Sequence, residues 1–180
     1  MPADDPTLDA LLTALQLKDV DRAGWVRKGV PRPESVAAHS WGVAWLVIVL
    51  APPHLDRARA LTYAVLHDLA EATVGDLTPH DGVPAHEKAR RESNAIAAMT
   101  ASLPDHVAAA WHAYEAQADD EARFVRQLDR LDMALQATAY AARGQPGMPE
   151  FLASAAAAIT DPALVDLLAR ARRRLAAPTG

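Results

Sequence analysis

Apolar residues recur three and four positions apart along most of this chain, with Pro or Gly breaking the pattern at intervals of one helix length. That period lines one side of a helix and no face of a sheet, so it commits the chain to an all-α fold. Leu8, Leu11, Leu12 and Leu15 start the series as a short amphipathic helix behind Thr7, its expected cap. Residues 24–33, GWVRKGVPRP, carry two Gly and two Pro and read as an irregular loop. Ser35 then caps a helix to about Leu50, where Pro52 and Pro53 stop it. Its lower half, VAWLVIVL, is apolar all round, which implies burial on every side. Asp56 caps a third helix through Tyr63, Val65, Leu66 and Leu69, ending before Gly75. Helical periodicity returns over residues 85–100, 105–117 and 118–143, and Pro149 and Pro162 suit the first turns of two more helices, the second capped by Asp161. The expectation is six to eight helices and no sheet.

At 180 residues the chain suits one domain, residues 1–180, with a core over about residues 8–136 and C-terminal helices over 149–176 packing on it. Abundant Ala and few aromatics favour helices, because Ala loses no side-chain entropy in them. With no Cys there is no disulfide, thiolate metal site or Cys nucleophile, and any metal must be held by nitrogen and oxygen. A net charge of −5 argues against a nucleic-acid scaffold built on a basic surface, while leaving room for one local phosphate pocket. The opening MPADDPTLDALLTALQ lacks the basic start and apolar run of a signal peptide, and the longest apolar stretch, Val43 to Ala51, is too short to span a bilayer. A cytoplasmic protein with no membrane partner is expected.

A His-Asp pair alone means little: with 7 His and 16 Asp in the chain, chance supplies about 0.6 such pairs. Two occur. His80-Asp81 lies between Pro79 and Gly82 in a loop, whereas His67-Asp68 sits in the apolar helical run YAVLHDLAEA, where a buried polar pair costs stability unless something satisfies it. Glu71, four residues after His67 and three after Asp68, borders the same patch of a continuous helix. His39, on the preceding helix, can face that cleft, and Asp129 lies in FVRQLDRLDMAL among apolar neighbours that imply burial. Two imidazoles and two carboxylates suit one borderline divalent cation with positions left for water and substrate. Manganese, cobalt, iron and zinc are all compatible with that set.

The blocks PESVAAHSWGVA, LHDLAEATVGDL and FVRQLDRLDMALQA resemble, in order, the H…HD…D signature of the HD-domain superfamily of metal-dependent phosphohydrolases. GWVRKGVPRPESVAAHS and the HDxAExxxGD run resemble more closely its 5′-deoxynucleotidase branch, the small HD-domain-containing-protein-2-like family. The resemblance covers about residues 8–136 and implies an HD-type helical bundle, a homodimer, and His39, His67, Asp68 and Asp129 as metal ligands. The matching block also has an acid three residues after the last ligand, here Asp132, and Asp129 is preferred. The activity implied is removal of the 5′-phosphate from (2′-deoxy)nucleoside monophosphates by a metal-activated water.

For that chemistry Glu71 is the candidate to orient or deprotonate water, and Asp76, after Gly75, to protonate or hydrogen-bond the leaving ribose oxygen. Each has a plainer reading as a helix-surface or capping acid. A phosphate dianion needs cations, for which Arg22, Arg32 and the run Lys88, Arg90 and Arg91 are available. In the resembling family an Arg and a Trp before the loop line the phosphate and sugar sites, which maps onto Arg22 and Trp25, here separated by Ala23 and Gly24. Lys88 and Arg91 are the expected further substrate contacts. Alternatives are an HD hydrolase acting on a nucleoside di- or triphosphate or a modified nucleotide, or a metal- or nucleotide-binding protein without catalysis. Retention of both Glu71 and Asp76 speaks against the last. The scatter of His54, His80, His86, His106 and His112 gives no second metal set for an oxygenase.

Overall fold

The computed structural model describes residues 5–176; residues 1–4, where the reading against a signal peptide begins, lie outside the described part, as do residues 177–180. The helices are α1 (Pro6–Leu15), α2 (Ala23–Arg27), α3 (Val36–Leu50), α4 (Arg57–Leu66), α5 (Glu71–Val74), α6 (Ala85–Thr100), α7 (Asp105–Glu115), α8 (Asp120–Ala141), α9 (Pro149–Ala158) and α10 (Pro162–Ala176). α2 and α5 are single turns and the other eight are full helices, as the periodicity requires. Among the described residues there is no strand, only an isolated bridge between Asp21 and Ser35.

α8 is the axis of the bundle. At 22 residues it is long enough to pack on α3, α4, α9 and α10 together, and Val125, Leu128, Leu131, Ala134 and Ala137 are fully buried along it. A second, smaller core gathers Val36, Leu69, Ile96, Met99 and Trp111 between α5, α6 and α7. The seam between these cores is where α3, the end of α4 and the middle of α8 meet.

Side-chain caps set the helix starts: Ser35 accepts from the Ala38 N–H, Asp56 from Arg59, Asp119 from Ala122 and Asp161 from Leu164. The first helix departs from expectation. Asp5, not Thr7, caps it by accepting from Leu8 N at 3.0 Å, and the Thr7 hydroxyl instead donates to the Ser102 carbonyl.

Three further expectations are corrected. Residues 24–33 are not wholly irregular, because α2 forms one turn ended by Gly29 at φ 68°, with Val30 N donating to Trp25 O and Gly29 N to Val26 O. This paired closure satisfies the last carbonyls of so short a helix. The third helix does not run through His67. The His67 Nδ1–H donates at 2.9 Å to the Ala64 carbonyl, the acceptor that a continuing helix would pair with the Asp68 N–H. The chain then tightens into three-residue turns, Leu69 N to Leu66 O and Glu71 N to Asp68 O, before α5. Nor is VAWLVIVL buried all round, since α3 packs against α4 and α8 on one side only. Val43, Leu46 and Val47 are inside, while Trp41, Trp45, Ile48 and Val49 form an exposed stripe, Trp41 at 70%. No described helix is long and apolar enough to cross a membrane.

The segment before α3 is held to α8 by a hydrogen bond from the Glu34 N–H to the Tyr140 hydroxyl at 2.8 Å. Tyr140→Phe leaves that half-buried N–H unpaired. The expected cost is about 1–3 kcal/mol, read as a lower urea midpoint with unchanged m-value; a midpoint equal to wild type would show that the bond carries no net stability.

Candidate metal centre

Four donors converge at the seam. His39 on α3 is fully buried, and its Nε2 lies 3.3 Å from His67 Nε2, 3.2 Å from Asp129 Oδ1 on α8 and 3.7 Å from Asp68 Oδ2. His67 Nε2 lies 3.1 Å from Asp68 Oδ2. Because the Ala64 carbonyl can only accept, His67 carries its proton on Nδ1, and the Nε2 lone pair faces the cleft. On the far side of the His39 ring, Nδ1 is 2.7 Å from Asp132 Oδ2. The two acids of FVRQLDRLDMAL are thereby separated: Asp129 stands on the cleft side of His39 and Asp132 behind it.

The cluster couples ionised carboxylates to the imidazoles and to Arg22. Burial raises Asp68, but His67, Arg22 and His39 outweigh it and hold the carboxyl far below the ordinary range. Burial likewise raises Asp129, and the hydrogen bond and charge of His39, with Arg130, win in the same direction. For His39, burial and Arg22 push the imidazolium down, yet Asp129 and Asp132 together lift it to about 9. His39, His67 and Asp129 offer donor atoms close enough together to hold a divalent cation, which would take the place of the His39 proton. Glu71 fits the same picture. Burial, then Asp68 and Asp76, push it up to about 10, and its buried Oε2 has no hydrogen-bond partner among the described residues.

Two members of the cluster, Asp68 and Asp129, line a cavity of about 650 Å³ together with Arg22, Glu71, Asp76 and Lys88. Arg22 reaches Asp68 with Nη1 at 3.3 Å, its place set by the bridge at Asp21 and Ser35, where Arg22 N donates to Glu34 O and Val36 N to Val20 O. Asp76 accepts from the Ala23 N–H at 2.8 Å, so this acid also anchors the start of α2. Lys88 lines the wall and donates to the Leu77 carbonyl.

Trp25 is almost wholly enclosed, at 1% exposure, donating Nε1–H to Glu34 and packing on Tyr140 and Phe151 while its edge meets the cavity. Arg91 is not brought in. It lies outside the lining, exposed and paired with Glu87, and Arg90 shares that carboxylate. Glu34, Arg130 and the C-terminal residues Glu150, Phe151 and Ser154 reach the site or its walls without having been singled out in the sequence. No local spacing marks a residue such as Phe151, which arrives only because α9 folds back on α8.

A family model described as HD domain matches residues 14–162. The chain belongs to the HD-domain family. Among its HD-domain relatives, it is 40% identical over 159 residues to bovine 5′-deoxynucleotidase HDDC2, covering 85% of this chain and 78% of that protein. A conserved hypothetical protein of Pyrococcus furiosus superposes with a TM-score of 0.78 at 31% identity, over 92% of this chain and 99% of the other. A protein described as a predicted metal-dependent phosphohydrolase of Magnetospirillum magnetotacticum has a TM-score of 0.65 at 26% identity, over 92% of each chain. The HD dipeptide at the cluster is His67-Asp68, and the second pair, His80-Asp81, lies in the turn at Pro79–Asp81.

A cation that binds the native HD domain and not the unfolded chain stabilises it by mass action. Adding Co²⁺ to chelator-stripped protein at roughly 100 times Kd should add about 2.7 kcal/mol, raising Tm. His67→Ala should abolish the increase and His54→Ala, on an exposed turn, should keep it. An equal Co²⁺ response in His67→Ala would place the cation elsewhere.

Proposed function

We propose that this chain is a phosphomonoester hydrolase that releases phosphate from nucleoside 5′-monophosphates, with 2′-deoxy sugars preferred, and that His39, His67, Asp68 and Asp129 hold one divalent transition metal. The observation that carries the reading is the convergence of those four side chains, two of which, Asp68 and Asp129, line a cavity beside Arg22 and Glu71. The relatives called 5′-deoxynucleotidase, at 40% identity over most of the chain in the bovine case, support the substrate class. Bound there, a divalent cation supplies Lewis acidity, lowering the pKa of water and offsetting charge on a phosphoryl oxygen.

The chain's own groups do the rest. Arg22 lies at the floor and offers a forked donor to two phosphate oxygens, and Lys88 adds a point charge from the wall. With a cation bound, the charge of Asp68 that helps push Glu71 up would be offset, so that Glu71 ionises, takes a proton from the water that forms the new O–P bond, and uses its unpaired Oε2 as the acceptor. The P–O5′ bond breaks and the 5′-oxygen gains a proton, with Asp76 as the acid that positions it. Trp25, backed by Phe151, presents an apolar edge to the sugar, which disfavours a ribose hydroxyl by roughly 10²-fold at most. A cavity of about 650 Å³ suits a mononucleotide. Phosphate release across ribo- and deoxynucleoside mono-, di- and triphosphates with Mn²⁺, Co²⁺, Fe²⁺ and Zn²⁺ tests this reading; exclusive turnover of di- or triphosphates would replace it with the other hydrolase assignment.

Glu71→Gln keeps the shape and removes the proton acceptor. The expected result is retained Co²⁺ binding with kcat lower by about 10²-fold, measured at saturating substrate. Turnover near wild type would leave Glu71 with a structural role.

A second copy of this chain is the proposed partner, seated on the stripe of Trp41, Trp45, Ile48 and Val49, since so much contiguous apolar surface on one helix is costly in water. Trp45→Glu should shift the sedimentation coefficient from dimer to monomer at micromolar concentration, and an unchanged dimer would move the interface off α3.

A further inference from the structure

Gly42 sits in the interior of α3, where Gly is a poor helix former and Ala would be a better one. Its backbone angle is helical, not left-handed, so conformational freedom does not account for it. Its surroundings do. A Cβ at this position would overlap Asp132 Oδ1, lie 2.9 Å from Asp132 Cγ and 3.3 Å from Oδ2. The Asp132 carboxylate therefore rests on the bare backbone of α3, one turn from His39. From that seat Oδ2 reaches His39 Nδ1 at 2.7 Å, while His39 Nε2 faces His67, Asp68 and Asp129.

We propose that Asp132, seated on Gly42, is the positioning residue for His39: it takes the Nδ1–H hydrogen bond, fixes the ring's rotation, and leaves Nε2 as the lone pair offered to the cation. This rests on the reading of the cluster as a divalent-cation site. Asp132 does not ligate in this arrangement, because the ring stands between its bonded oxygen and the cleft. A carboxylate behind a ligating imidazole raises ligand basicity and selects the tautomer, and its loss typically weakens metal binding 10–100-fold. His67 achieves the same end differently, through the Ala64 carbonyl. The two imidazoles are thus locked by one backbone and one side-chain acceptor, and only the latter depends on a missing Cβ.

The test measures Co²⁺ affinity of the full-length protein by chelator competition, with Tm of the metal-free form recorded in parallel. Asp132→Ala should weaken Co²⁺ binding by about 10–100-fold, and Asp132→Asn, which keeps an oxygen acceptor for Nδ1–H, should fall between it and wild type. Gly42→Ala should weaken binding comparably by displacing the carboxylate. In Asp132→Ala the added methyl meets no carboxylate, so the double variant should bind Co²⁺ no worse than Asp132→Ala alone. Wild-type Co²⁺ affinity in Asp132→Ala would overturn the positioning role while leaving the metal site intact, as would full additivity in the double variant. Equal loss in Asp132→Asn and Asp132→Ala, to the level of His67→Ala, would make Asp132 a ligand and also overturn it. Failure of wild-type protein to bind Co²⁺ would instead sink the underlying metal reading. If Gly42→Ala alone does not fold, the Asp132 pair and the double variant still decide.

Discussion

Two imidazole nitrogens held 3.3 Å apart in a buried seam are the constraint around which the rest of this molecule is arranged. Neither ring is open to solvent, so the polar pair must be satisfied from within, by each other and by the anions around it. Asp68 and Asp129 supply the anions. Breaking such a cluster by removing one member leaves the others buried and uncompensated, which is why this small group of polar side chains carries more consequence than any comparable number of apolar ones.

The scaffold meets that constraint with rigidity rather than with loops. His39 and Asp129 stand on the long, tightly packed α3 and α8, and Asp132 one turn further along α8 braces His39 from behind. His67 and Asp68 stand where α4 ends, and the His67 ring bonds the Ala64 carbonyl of its last turn. That bond ties the ring to its own backbone and sets its tautomer.

Above this floor the cavity is lined by less regular pieces. α2 is held at one end by Asp76 and at the other by the left-handed Gly29, which presents Arg22 and Trp25 from a single turn. Asp76 is both a cavity acid and the anchor of the element that carries Arg22, so chemistry and support are not separable at that residue. The far wall comes from α9 through Phe151, a part of the chain remote in sequence from every motif.

Helix content and most boundaries follow from the sequence alone, because period, Pro, Gly and capping acids act within a few residues of one another. The blocks around His39, His67-Asp68 and Asp129 were legible for a related reason: their residue types are costly in apolar helices unless something repays them. What lay beyond the sequence were outcomes of competition across the fold. Whether the helix continues through His67 depends on how the chain around it packs against α3 and α8. Which side of α3 stays exposed depends on how many helices α8 can hold against it. Asp129 and Asp132 are three residues apart and alike in local pattern, and only the position of the His39 ring between them separates the acid facing the cleft from the acid behind it. Gly42 was silent for the same reason. The meaning of an absent side chain lies in what occupies its space, and that is decided by packing between α3 and α8, ninety residues apart along the chain.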